Sequence, residues 1–285
     1  MLLGTDMRFR IGLCLHSAVC ILAFVLTSPS AAELPLFDAH IHYNADAWES
    51  VPPADAIARL QSAKVLRALV SSSSDDGTQL LYAEAPDLIV PELRPYRKGG
   101  ETSSWFHDES VIPYLQERLE RHRYVAIGEF HVSGADADLP VVRRVVQLAR
   151  QHGLMLHAHS DADAVERLFH HDSDARIIWA HAGYESPARV REMLSRYKTL
   201  WPELSSRRDI APDGRLTEDW RSLFLEFPDR WMVGTDTHTV DRWTIVGSHA
   251  GHVRQWLAEL PQDVAELIAY KNGERVVTGR FAARP

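Results

Sequence analysis

The chain has 285 residues, with 31 lysines and arginines against 39 aspartates and glutamates, a net charge of −8 with histidine neutral. It has no cluster of Lys and Arg of the kind that neutralises a phosphate backbone, which argues against nucleic acid as a partner. Its two cysteines, Cys14 and Cys20, both fall in the first segment, so the rest of the chain has neither disulfides nor cysteine-bound zinc to draw on.

Residues 1–32 read as a secretory signal. Arg8 and Arg10 precede an apolar run from Ile11 to about Thr27, and Ser28-Pro29-Ser30-Ala31-Ala32 ends it with small residues. A permanent membrane anchor is the competing reading. The run is short for a bilayer span, however, and the small-residue end suits a peptidase cutting after Ala32. The expectation is an exported protein of a bacterial periplasm, with no stable membrane insertion after cleavage. Residues 33–285 then form a single domain of about 250 residues, the usual size of a β/α barrel.

Eight short apolar or β-branched runs follow in order: Leu36–Tyr43, Val65–Ser72, Leu88–Leu93, Tyr124–Val132, Leu154–His159, Arg176–His181, Thr199–Leu204 and Trp231–Asp236. Between them lie stretches with apolar residues at helical spacing. These are Ile57 and Leu60 after Pro52-Pro53, then Val111–His122, Leu139–His152, Ala164–His170, Pro187–Tyr197 and Thr217–Phe227. Strands alternating with helices indicate a parallel sheet, and eight repeats favour a closed (β/α)8 TIM barrel over an open doubly wound sheet. The first strand is followed by no glycine-rich phosphate loop, which weakens a dinucleotide-binding fold. Pro202 interrupts the seventh run and should sit at a bulge or a strand end, because it cannot donate to the ladder.

In such a barrel the chemistry sits at the carboxyl ends of the strands. Here those ends read Asp38-Ala39-His40-Ile41-His42, Gly128-Glu129-Phe130-His131, His157-Ala158-His159, Ala180-His181-Ala182-Gly183 and Gly234-Thr235-Asp236. His40 and His42 are two residues apart on a strand and so share a face. A lone His-x-His pair is more often incidental than a metal site. Five strands that each end in an imidazole or carboxylate make a divalent metal at the barrel mouth the stronger reading, because burying so many ionisable groups without a function would be costly. On strand five, His157 and His159 share a face, and either could be the ligand. His131, His170 and His171 are expected to lie off the metal.

The stretches Phe37-Asp38-Ala39-His40-Ile41-His42, Ala126-Ile127-Gly128-Glu129, His159-Ser160, Trp179-Ala180-His181-Ala182-Gly183 and Val233-Gly234-Thr235-Asp236 resemble the amidohydrolase superfamily, in its amidohydrolase-related and TatD-like branches. The end Asn272-Gly273-Glu274-Arg275-Val276 is similar to the helix that closes many members. This resemblance implies that His40, His42 and Asp236 hold a first ion with His159 as a further ligand. It also implies that His181 is either a second-metal ligand or a catalytic imidazole, and that Asp236 accepts the proton of the attacking water. Glu129 stands where several binuclear members carry a carboxylated lysine, and would bridge two ions. The residues after it depart from the TatD-like pattern, which leaves one or two ions open. Zinc is the expected ion and manganese the alternative.

Loop cations suggest the substrate. Arg94, Arg97 and Lys98 follow strand three, and Arg207 and Arg208 follow strand seven, so a small carboxylate or phosphate substrate is expected, with Arg94, Arg207 and Tyr184 contacting it. The alternative is a set of solvated loop cations in ordinary surface ion pairs. Trp105, Phe106 and Tyr184 are candidates for an apolar wall. The leading activity is hydrolysis of an amide, an ester or lactone, or a phosphoester by a metal-activated water. Its rivals are metal-dependent non-oxidative decarboxylation and, in a different class, non-catalytic binding of a metal or ligand in the cell envelope. The protein is expected to work alone or as a homo-oligomer.

Overall fold

The computed structural model describes residues 1–2 and 34–281, without the side chains of 278–281. The signal reading and both cysteines lie outside the described residues. Among the described residues, no helix is long and apolar enough to cross a membrane.

Seven strands form parallel ladders: β1 (Leu36–Ile41), β2 (Val65–Val70), β3 (Ile89–Pro91), β4 (Ala126–His131), β5 (Met155–His159), β6 (Ile177–Trp179) and β7 (Leu200–Pro202). They order as β1-β2-β3 and β4-β5-β6-β7. Single parallel bridges carry the ring onward. Leu93 pairs with Ile127, Glu203 with Met232, and Val233 with Asp38. The eighth stave falls within the run Trp231–Asp236 read from the sequence, but it is held by bridges at Met232 and Val233 rather than by a regular ladder. Asp38 strengthens that seam, accepting hydrogen bonds from the Thr235 amide (3.0 Å) and from the Thr235 hydroxyl. Pro202 is the last residue of β7; its carbonyl accepts from the Met232 amide, and the donors that carry the seam onward are the amides of Glu203, to Trp179, and of Leu204, to Met232.

The interior supports the barrel independently. Phe37, Leu69, Val90, Ala126, Met155, Ile178 and Met232 form one buried cluster, with Trp201 packed against it. Each of the eight staves contributes one of these residues, as expected of side chains that converge on a common axis. Val276 and Val277 join them from α10 (Asn272–Phe281, named in chain order below) and close the amino-terminal end. A register irregularity in β1 between Asp38 and Ile41 lets Phe37 face this lower layer while His40 faces the upper one.

The helices are α1 (Pro53–Ser62), α2 (Asp76–Glu84), α3 (Val111–Arg121), α4 (Pro140–His152), α5 (Ala162–His171), α6 (Pro187–Arg196), α7 (Glu218–Glu226), α8 (Val246–Leu257), α9 (Gln262–Glu266) and α10. Their starts follow from local chemistry. Proline occupies the first turn of α1, α4 and α6, where its missing N–H would be unbonded in any residue. Asp161 and Ser186 cap α5 and α6 by accepting from the amides of Ala164 and Arg189. Three helices escape the sequence reading: α2, α8 and the five-residue α9. In α2 only Gly77, Thr78 and Leu81 are buried, too sparse a stripe to announce a helix. In α8, Gly247 and Gly251 dilute the helical signal, and tertiary packing of Val253, Trp256 and Leu257 supplies what local propensity lacks.

Candidate metal centre

Five strand ends deliver their polar side chains to one place. His40 and His42 are fully buried and their Nε2 atoms stand 3.0 Å apart. Each ring is held from behind by a group that can only accept. The Glu203 carboxylate takes the His40 Nδ1–H at 2.8 Å, and the Ser71 carbonyl takes the His42 Nδ1–H at 2.7 Å. Both protons are thereby placed on Nδ1, and both Nε2 lone pairs turn toward the barrel axis. His181 repeats the device, donating from Nδ1 to the Ser205 carbonyl at 2.9 Å.

The groups these lone pairs face are acceptors too. One Glu129 oxygen lies 3.2 Å from His42 Nε2. The other lies 3.5 Å from His40 Nε2, 3.7 Å from His181 Nε2 and 2.9 Å from His159 Nδ1. Asp236 Oδ1 lies 3.7 and 3.6 Å from the Nε2 atoms of His40 and His42. Several lone pairs and two carboxylates converging without a matching set of donors repel one another unless a cation lies among them. The donor set therefore fits a divalent ion of the imidazole- and carboxylate-binding kind. Without one, a proton serves. Burial opposes charge on His40, but Glu129, Asp236 and Glu203 outweigh it and raise its pKa well above the usual histidine value. His42 is pushed down to about 4, first by burial and then by the Arg94 guanidinium.

Local backbone explains the aim of two candidate ligands. Glu129 sits in a bulge of β4 between Gly128 and Phe130. At Gly128 φ is +150°, and a Cβ would lie 2.3 Å from the His157 carbonyl, so only glycine fits. After β6 the chain turns through four consecutive left-handed residues, His181, Ala182, Gly183 and Tyr184 (φ 55°, 48°, 63° and 53°). Each non-glycine residue so held costs of order 1–3 kcal/mol. The turn stacks the Tyr184 ring on that of His181, centroids 4.8 Å apart, and both line the mouth cavity.

That cavity has a volume of about 700 Å³ and is also lined by His42, Arg94, Glu129, His159 and Asp236. Of the two strand-five histidines, His159 reaches Glu129. His157 lies deeper and donates to Glu92 at 3.1 Å. Arg94 is a buried part of the wall, donating to the Glu129 carboxylate at 2.7 Å and to the Glu129 carbonyl at 3.0 Å. Arg207 does not line the mouth. Its fork is closed on Asp209 and on the carbonyls of His181 and Glu185, and it lies over the Trp220 ring. Arg97 is likewise engaged by Glu101 and Asp108. Trp105 is no wall of the mouth; it is wholly buried and donates to the His131 carbonyl. His131 is nearer than its sequence position suggested. It lines the cavity, and its ring stacks on His159 at 4.0 Å. His170 is exposed, and His171 pairs with Asp138 away from the centre.

Sequence reasoning missed Glu203. The same rule that found the others, a carboxylate at the end of a strand, would have found it, but Pro202 obscured the register there. Removing its charge while keeping its shape, in Glu203→Gln, is expected to weaken divalent-ion binding about 10–100-fold, as for other carboxylates behind a ligating histidine. Metal titration by calorimetry checks this, and unchanged affinity would remove Glu203 from the site. Gly234 makes room for the same contact. A Cβ there would lie 2.4 Å from Glu203 Oε1 and 2.7 Å from His40 Cβ. Gly234→Ala is expected to cost about 1–3 kcal/mol in the metal-free protein and to weaken metal binding as well. Chemical denaturation gives the first effect and calorimetry the second.

No protein-family model and no curated protein matches the chain. Solved structures do. An uncharacterised TIM-barrel protein from Bordetella bronchiseptica superposes with a TM-score of 0.61 at 12% identity, over 87% of this chain and 100% of its own. A candidate 2-pyrone-4,6-dicarboxylic acid hydrolase from Pseudomonas putida gives 0.59 at 14%, over 87% and 99%. The TatD homologue YjjV from Escherichia coli K12 gives 0.58 at 17%, over 85% and 98%. These similarities establish the fold. It is the barrel that the amidohydrolase resemblance implied, shared along nearly the whole of those chains.

Proposed function

We propose that the protein is a metal-dependent hydrolase of the amidohydrolase type, acting on an amide, an ester or lactone, or a phosphoester of a small anionic molecule. The observation that carries the reading is the convergence of bare imidazole nitrogens with Glu129 and Asp236 at the barrel mouth. His40, His42 and Asp236 would hold one ion and His159 and His181 a second, with Glu129 between them, one of its oxygens facing His42 and the other facing His40, His159 and His181. A divalent ion in this centre supplies acidification of water and polarisation of the scissile bond.

The chain's own residues do the rest. Asp236 is the proton acceptor. Its Oδ2 accepts from the Ser206 hydroxyl at 3.2 Å and its Oδ1 from His238 Nδ1 at 3.1 Å, which fixes the carboxylate's orientation. Burial opposes its ionisation, but His40 outweighs this and holds it well below the usual carboxylate range, so it is available as a base at neutral pH. Tyr184, half exposed above His181, is placed to contact the substrate as it enters.

The test is purification with Zn²⁺ or Mn²⁺, metal analysis, and a screen of chromogenic esters, lactones, amides and phosphoesters. Hydrolysis that a chelator abolishes and added ion restores is the expected result. Carbon dioxide release from a carboxylate substrate without hydrolysis would replace this reading by decarboxylation. Tightly held metal with no turnover of any kind would favour a binding protein.

A further inference from the structure

A second cavity, of about 470 Å³, opens beside the metal mouth between the loops after the seventh and eighth staves and the start of α8. Its lining includes Arg207, Arg208, Arg242, His249 and His252, and no aspartate or glutamate among the described residues. For a chain of net charge −8 this is a marked local reversal. Its floor is apolar, built from Ile210, Val253 and Trp256. Arg207 is neutralised by Asp209, but the Arg208 guanidinium has no hydrogen-bond or ion-pair partner among the described residues. His249 is held by the Gly234 carbonyl, to which its Nε2–H donates at 2.8 Å.

This cavity and the metal mouth share a wall. Ser206 lines both, and its hydroxyl donates to Asp236 Oδ2 at 3.2 Å. Arg242 braces the wall by donating to the carbonyls of Asp236 and Thr235. An apolar floor with an unpaired guanidinium at its edge selects an organic anion, because the apolar body is buried while the charge meets a cation.

We infer that this second cavity binds the apolar, carboxylate-bearing end of a small molecule through Arg208. Resting on the reading of the neighbouring centre as hydrolytic, that molecule is the substrate or its product, and the cavity sets which one is taken. Of the loop cations that the sequence pointed to, Arg208 thus acts one cavity away from the metal.

Calorimetric titration with phenylacetate, and with neutral phenylacetamide as control, tests this on metal-free and Zn²⁺-loaded protein. Phenylacetate is expected to bind both forms, at least tenfold more tightly than the amide. Arg208→Glu is expected to weaken it at least tenfold in both, and His252→Glu to weaken it in the same direction. Arg208 is exposed and has no partner among the described residues, so an unchanged melting temperature is expected for its variant. Binding that appears only with Zn²⁺ would place the carboxylate on the ion and overturn the assignment, as would equal binding of the amide or indifference to Arg208→Glu. Because the metal-free arm needs no turnover, phenylacetate binding there would survive failure of the hydrolase reading. In that event the bound anion would not be substrate.

Discussion

Replacing both His40 and His42 by alanine is expected to yield a folded protein that has lost the ion those two rings hold. The two rings supply the buried Nε2 pair, and nothing adjacent can substitute for it. Glu203 and the Ser71 carbonyl, which hold the rings from behind, would face empty space. What remains is Glu129 paired to Arg94, with Asp236 and the imidazoles of His159 and His181 on the far side. In the wild type, an ion present at a hundredfold excess over its dissociation constant stabilises the fold by about 2.7 kcal/mol, visible as a rise in melting temperature. The double variant should show a smaller rise, and elemental analysis should find its metal content below that of the wild type by the ion this pair holds. Metal content equal to that of the wild type would remove this pair from the site. The barrel itself should survive, because the lower layer from Phe37 to Met232 and the α10 plug are independent of the mouth.

Asp236→Asn is expected to keep the fold and, at saturating metal, to lose turnover by about 10²–10⁴-fold, the range for removal of a positioned general base. The amide has the shape of the carboxylate and can still accept from the Ser206 hydroxyl, but it cannot take a proton. A fall in kcat that saturating metal does not restore is the signature to look for, whereas retained activity would exclude Asp236 from proton transfer. The pH profile carries a second sign. A carboxylate held well below its usual range stays ionised as pH falls, so Asp236 should not set the acid limb. Protonation of the imidazole ligands should set it, and loss of activity on acidification is expected to coincide with loss of metal.

Much of this centre was legible before any coordinates. The order of strands and helices, the eight staves and the five polar strand ends all follow from period-two and period-3.6 patterning, which is local. The pairing of His40 with His42 is local too, since a strand returns a side chain to the same face every two residues. Glu203 and Gly234 were not legible, because their meaning lies in each other. One carboxylate occupies the volume that any larger residue at 234 would need. The choice of His159 over His157 depended on where β5 stops relative to the Glu129 bulge, a register that hydrophobic alternation does not encode.

The cations show the same division. Charge and loop position pointed to Arg94 and Arg207 as substrate contacts, but a sequence does not say which carboxylate an arginine will meet. Folding pairs Arg94 with Glu129 and Arg207 with Asp209, and leaves Arg208 without a partner among the described residues, beside an apolar floor. By itself, then, the sequence determined the barrel and the kind of atoms gathered at its mouth, because both arise from periodicity along single strands. Only the tertiary structure decided which rings expose bare nitrogens, which carboxylate spans them and which arginine remains available. Those are contacts between residues up to about two hundred positions apart, chosen by packing around a common axis rather than by local sequence.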